Sequence, residues 1–192
     1  MKAIIGLGNP GRWYAASRHN VGFMAVAELA RLYGISLKKD NSILALSGKG
    51  SIEGIDVVLA QPLTFMNLSG GAVKAVVRKY KVAPGELLVV CDDLDLEFGR
   101  LKIRPSGASG GHRGLASIIE ALAHRDFCRL RIGIGRPQED DEAADYVLSG
   151  FTKEQKRQLP EIIARSTQCC RAWMHEGISK SMNIFNRRSN AE

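Results

Sequence analysis

Four short runs of nearly unbroken apolar residues constrain this chain most: KAIIGL at 2–7, IDVVLAQ at 55–61, ELLVVCDD at 86–93 and RLRIGIG at 129–135. Runs of that length and continuity suit strands covered on both faces. Between them, apolar residues recur at helical spacing in VGFMAVAELARLYG, which Gly34 closes, in SGGAVKAVVRKYK and in HRGLASIIEALAHR. ILALSG and LKIRP read as strands that are less buried or lie at an edge. A longer helix is predicted from Thr152, because Thr152 and Gln155 in TKEQ have capping-box spacing. Its Leu159, Ile162, Ile163, Cys170 and Trp173 fall on one stripe, which reads as core packing. The alternation predicts a single α/β domain over 1–192, with a twisted, mostly parallel (mixed) sheet flanked by helices. QEDDEAAD at 138–145 reads as an acidic surface loop, the stretch after Gly177 as polar and basic, and 187–192 as a flexible tail.

That topology has a chemical consequence. Open α/β sheets bind ligands beyond the carboxyl ends of their parallel strands. The residues just past those ends are Asn9 to His19 after the first run, Phe65, Met66 and Asn67 after the second, and Asp92 and Asp93 closing the third. If the three strands are parallel, one histidine, two asparagines and an aspartate gather at one edge of the sheet.

Two motifs at these ends mislead. GLGNPG at 6–11 matches the dinucleotide pattern G-x-G-x-x-G, which needs a helix starting within the glycines to meet a pyrophosphate. Here Pro10-Gly11 makes a turn and the helix waits until about Val21, so the glycines are expected to turn the backbone and let it approach a ligand. GASGG at 107–111 matches the nucleophile elbow G-x-S-x-G with Ser109 as nucleophile, but it lies in a loose loop carrying His112 and Arg113. The backbone N–H groups of GGHRG suit an anion or oxyanion better.

Charge points to the partner. The net charge is +7, and between Arg100 and Arg136 eight basic residues face two acidic ones, a surplus of six. Such a basic face fits a polyanion. No apolar run nears the roughly 20 residues that cross a bilayer, and MKAIIGLGNPG turns glycine-rich too early for a signal peptide. A cytoplasmic protein is expected. Cys91, Cys128, Cys169 and Cys170 form no C-x-x-C pair and read as buried, reduced thiols, and the scattered histidines offer no metal signature.

Five blocks in order, GLGNPGRWYAASRHNVGF, PLTFMNLSG, CDDLDLEFGRLKIR, SGGHRGLASI and FCRLRIGIGRP, resemble the bacterial peptidyl-tRNA hydrolases from about residue 2 to 186. The resemblance implies a monomeric single-domain esterase without metal or cofactor. Its substrate would be peptidyl-tRNA shed by stalled ribosomes, cut between the peptide and the 3′-terminal ribose. It assigns His19 as catalytic base, a residue type that takes a proton near neutral pH, and Asp92 as the carboxylate orienting it. Asn9 and Asn67 would hold the substrate by its amides, Asn9 near the scissile bond, since a carboxamide both donates and accepts. Tyr14 and Phe65 would line the groove for the terminal nucleotide and peptide, Met66 its floor, and Gly111 and Arg113 part of its substrate-binding edge. Lys102, Arg104 and Arg131 would take phosphates of the acceptor stem, contacts that carry no base information. Two departures stand out: Arg104 where some relatives have lysine, and GGHRG where many have GGHNG, placing Arg113 at an asparagine position. Two other readings remain, a non-catalytic RNA-binding or splicing relative of the same fold and a serine hydrolase using Ser109.

Overall fold

The structure, a computed structural model, describes residues 1–137 and 142–187. Seven strands form one sheet: β1 (Lys2–Gly6), β2 (Lys38–Asp40), β3 (Ala45–Ile52), β4 (Ile55–Pro62), β5 (Leu87–Asp93), β6 (Leu101–Arg104) and β7 (Cys128–Gly133). Their spatial order is β2-β3-β4-β1-β5-β7-β6. The four apolar runs make the parallel centre, β4-β1-β5-β7, and β3, β2 and β6 are antiparallel additions at the two edges. Five helices accompany the sheet: α1 (Val21–Leu32), α2 (Ser69–Tyr80), α3 (Arg113–Leu122), α4 (Ala143–Leu148) and α5 (Lys153–Phe185).

Strand alternation divides the core in two. Ile4, Leu59, Leu88, Val90 and Leu130 pack with α1 and α5, including the predicted stripe of Ile162, Ile163, Cys170 and Trp173, with Leu159 partly buried at its border. Ala3, Ile5, Val58, Val89, Cys91 and Phe127 pack against residues of α2 and α3 such as Val73, Val76, Leu115 and Ile118. The mixed α/β sandwich expected from the alternation is therefore the observed one. Thr152 and Gln155 form the full capping box of α5, and all four cysteines are free and buried.

Three details depart from the sequence reading. β2, the KKD stretch at Lys38–Asp40, has no apolar residue to announce it and exists through pairing with β3. The acidic segment becomes the short helix α4 from Ala143, while 138–141 lie outside the described residues, as do 188–192 of the tail. The stretch after Gly177, read only as polar and basic, carries structure as well: helix resumes beyond a kink at Gly177 (φ 79°, ψ 176°) and runs to Phe185. Met182 and Phe185 from that last part pack against the core. No helix among the described residues is long and apolar enough to cross a membrane.

The glycines of the opening motif have a structural use that differs from the one expected. A Cβ on Gly6 would sit 2.2 Å from the Gly22 carbonyl oxygen, and one on Gly22 would sit 2.3 Å from that of Val90. Their bareness lets α1 lie directly on β1 and β5, instead of admitting a ligand. Only Gly11, at φ 103° with open space around it, serves the turn itself.

Candidate active site

A one-turn 3-10 helix, Arg18–Asn20, joins the loop after β1 to α1, and the close packing of α1 sets where its side chains reach. His19 points to the end of β5, where its Nδ1 donates to Asp92 Oδ1 at 2.8 Å. That bond places the proton on Nδ1 and leaves Nε2 with a lone pair. Both residues are nearly buried, His19 9% and Asp92 3% exposed.

A second imidazole shares the same carboxylate oxygen. His112 Nε2 lies 3.0 Å from Asp92 Oδ1, and His112 Nδ1 accepts from the backbone N–H groups of Gly114 and Leu115 at 3.1 and 3.2 Å. His112 is thus the N-cap of α3, and its ring is fixed as the neutral form with the proton on Nε2. Burial alone would raise the Asp92 pKa, but the N–H groups that His112 and His19 donate to it outweigh burial and hold the carboxyl well below its usual value. His19, Asp92 and His112 each bring a ligand atom within 4.8 Å of the other two, a spacing compatible with a metal ion. Here the two N–H groups converge on one oxygen, and rotating His112 to free a lone pair would uncap α3. The cluster is built as a hydrogen-bonded relay.

Asn20, from the same turn, clamps the next residue of the site. Its Oδ1 accepts from Asn9 N–H at 2.8 Å and its Nδ2 donates to the Asn9 carbonyl at 2.9 Å. Asn9 Oδ1 in turn accepts from Met66 N–H at 2.8 Å, so the ends of β1 and β4 are tied and the Asn9 amide NH2 is left for the groove. Tyr14 and Phe65 meet edge to face, ring centres 6.5 Å apart.

These groups line a groove of about 590 Å³ at the carboxyl edge of the parallel strands. Of the residues singled out in the sequence, it takes in Asn9, Tyr14, His19, Phe65, Met66, Asn67, Asp92, Gly111, Arg113 and Arg131. Met66 is buried, while Phe65, Asn67, Gly111 and Arg113 are exposed to the opening. Lys102 and Arg104 are not among the groove's lining residues and lie on edge strand β6, Lys102 in register with the lining residue Arg131 and Arg104 with Arg129. Arg131 Nε lies 2.9 Å from Asp93 Oδ2, an ion pair without hydrogen-bond alignment. Burial lifts the Asp93 carboxyl above its usual value, against the pull of the Asp95 N–H and of Arg131. α4 forms one wall of the groove with Ala143, Ala144, Val147 and Leu148.

Three expectations change. The basic surplus shrinks, because Arg129 is 2% exposed and spends its guanidinium on the carbonyls of Gly107, Ala108, Arg125 and Phe127. The N–H groups of GGHRG are partly spent too, that of Gly114 on His112 Nδ1 and that of His112 on the Ser109 carbonyl. The Ser109 elbow has no support among the described residues. His19 and His112 both serve Asp92, His124 accepts from Asp126 N–H, and His175 pairs with Glu53. His112 and Asn20 were missed as site residues. A histidine at a helix N-cap after a glycine loop was the available signal for the first.

A family model described as peptidyl-tRNA hydrolase matches residues 3–192. The chain belongs to this family. It is 48% identical to the peptidyl-tRNA hydrolase of Desulforudis audaxviator over 97% of this chain and 93% of that one. The corresponding protein of Thermodesulfovibrio yellowstonii is 46% identical, over 97% and 100%. Among solved structures, peptidyl-tRNA hydrolase from Acinetobacter baumannii superposes with a TM-score of 0.91 at 37% identity, covering 97% of this chain and 94% of that one.

Proposed function

We propose that this chain hydrolyses the ester between a peptide and the 3′-terminal ribose of tRNA, with His19 as general base. The carrying observation is the 2.8 Å bond from His19 Nδ1 to Asp92 inside the groove, in a chain of this family. Water hydrogen-bonded to His19 Nε2 gives up a proton to the ring as its oxygen attacks the ester carbonyl. Asp92 stabilises the imidazolium that forms, as the carboxylate of a triad does. The tetrahedral intermediate collapses by breaking the bond to the ribose oxygen, which takes the proton back from His19. The products are a peptide carboxylate and a tRNA with a free hydroxyl, and the sequence of steps needs no metal or cofactor.

The Asn9 amide NH2 and Asn67 bind the peptide backbone and polarised carbonyl, which suits a substrate whose side chains vary. Tyr14, Phe65 and Met66 take the terminal nucleotide and the first peptide residues, with Gly111 and Arg113 on the facing edge. Lys102, Arg104 and Arg131 run outward from the groove and meet acceptor-stem phosphates. We place the enzyme in the cytoplasm, acting as a monomer. The test is release of N-acetyl-aminoacyl groups from tRNA by purified protein. His19→Ala should lower kcat by about 10²–10⁴-fold. A mutant as fast as the wild type sinks the mechanism, and RNA binding without any turnover would favour the non-catalytic reading instead.

A further inference from the structure

Trp13 is 82% exposed, an unusual place for the largest side chain, whereas the other tryptophan, Trp173, is 1% exposed. It is not carried on a loose segment. Gly11 (φ 103°) starts a turn closed by Tyr14 N–H to Gly11 carbonyl at 3.2 Å and Ser17 N–H to Tyr14 carbonyl at 2.9 Å. The Arg12 guanidinium lies 5.1 Å from the Trp13 ring centre, and Arg12 has no acidic partner among the described residues. The next residue, Tyr14, lines the groove. Of eight large hydrophobic side chains exposed on the described molecule, Phe65 and Leu148 line the groove, and Trp13 and Leu68 are next in sequence to residues that do.

We propose that Trp13 and Arg12 form a subsite for an unpaired nucleotide of the RNA 3′ end, one step before the terminal one. The inference rests on the esterase reading and adds a specificity element to it. Indole offers a flat face on which any base can stack, and a neighbouring guanidinium supplies a phosphate partner and a cation over the ring. A peptide side chain would use the apolar surface but leave Arg12 without a role, so the pairing of aromatic and cation favours the nucleotide. The ring would hold single-stranded RNA at the groove mouth, and duplex phosphates would meet Lys102 and Arg104 farther out.

Two measurements test this. Because Trp173 is buried, an uncharged acceptor-stem minihelix ending in CCA should quench the fluorescence of the exposed indole, and Trp13→Phe should abolish the quench. In parallel, one N-acetylated peptide is esterified to adenosine, to CCA and to full tRNA. Trp13→Leu should lose about tenfold in kcat/KM on CCA and tRNA, lose little on adenosine, and be largely restored by Trp13→Phe. An equal loss on all three substrates would put the ring against the peptide and overturn the proposal. So would unchanged kinetics, or a minihelix that binds without quenching. Failure of the wild type on every ester would instead defeat the esterase reading, with the quench still deciding the subsite.

Discussion

At the scale of single residues, the site is governed by how many donors one carboxylate oxygen receives. Asp92 takes N–H groups from both His19 and His112, yet only His19 keeps a lone pair for water. His112→Ala should therefore leave substrate binding nearly unchanged and lower kcat by roughly 10–100-fold, since hydrogen bonds to charged groups are worth about 1.5–3 kcal/mol. Steady-state kinetics checks this through the split between kcat and KM. The same variant loses the cap of α3, at about 1 kcal/mol, so a thermal melt should fall modestly while the rate falls much further. The carboxylate also makes stability depend on pH. Its folded pKa is held below the unfolded value of about 3.9. The contribution is complete above that pH and is lost as pH falls through the lower folded value. In acid denaturation, the gap between wild type and Asp92→Asn should accordingly close below about pH 4. That His19, Asp92, Asn9 and Asn67 gather at one sheet edge was legible because each closes a recognisable strand or lies in the segment between such a strand and the next helix. For His112 the sequence offered only its place at a helix start after a glycine loop; its bond to Asp92 depends on α3 arriving over the end of β5, a long-range placement that spacing along the chain does not encode.

At the scale of elements, local chemistry was legible wherever it was self-contained and opaque wherever tertiary contacts decided. The capping box at Thr152 and the apolar runs announce themselves; β2 and α4 do not. No residue of α4 is fully buried, though Tyr146 and Val147 pack partly buried against the core and the Tyr146 hydroxyl donates to the Ile134 carbonyl at 2.8 Å. Arg18, next to His19, ties the end of α4 and the segment after it to the site. The guanidinium bonds to Ser149 Oγ, to the Gly150 carbonyl at 2.6 Å and to Gln155 Oε1 at 3.0 Å, and stacks 4.1 Å from the Tyr146 ring centre. No carboxylate joins it among the described residues. Arg18→Ala should release this wall: amide exchange in 143–150 should rise sharply while β1 and β5 remain protected, a pattern that exchange mass spectrometry resolves. The contact of α1 with the sheet is equally specific. Gly22→Ala would drive a methyl into the Val90 carbonyl, costing about 1–3 kcal/mol or more. Because α1 carries the turn of His19, activity should drop even in the fraction that folds.

At the scale of the whole molecule, a net charge of +7 gives the sign of the partner but not the surface that meets it. The sequence count treated every arginine between 100 and 136 as equivalent, and the sheet sorts them. Arg129 is a buried strut for the loop at 107–108, Arg131 is paired with Asp93, and Arg136 is paired with Asp95. Lys102 and Arg104 remain on the edge strand, half-buried and exposed, with neither in an ion pair among the described residues. Burial and charge therefore predict opposite outcomes for neighbours that are in register across two strands. Each phosphate contact releases counterions and steepens the fall of affinity with salt. Arg104→Ala should weaken tRNA binding at low salt and reduce the slope of log affinity against log salt by about one, with thermal stability unchanged. Arg129→Ala should leave that slope alone, because its guanidinium never meets the solvent phosphate would occupy. It should destabilise the fold by about 1–3 kcal/mol instead, the cost of leaving buried carbonyls without their donors. Binding titrations across a salt series, run beside thermal melts of both variants, separate the two roles. Equal salt slopes for Arg104→Ala and the wild type would move the RNA path away from β6.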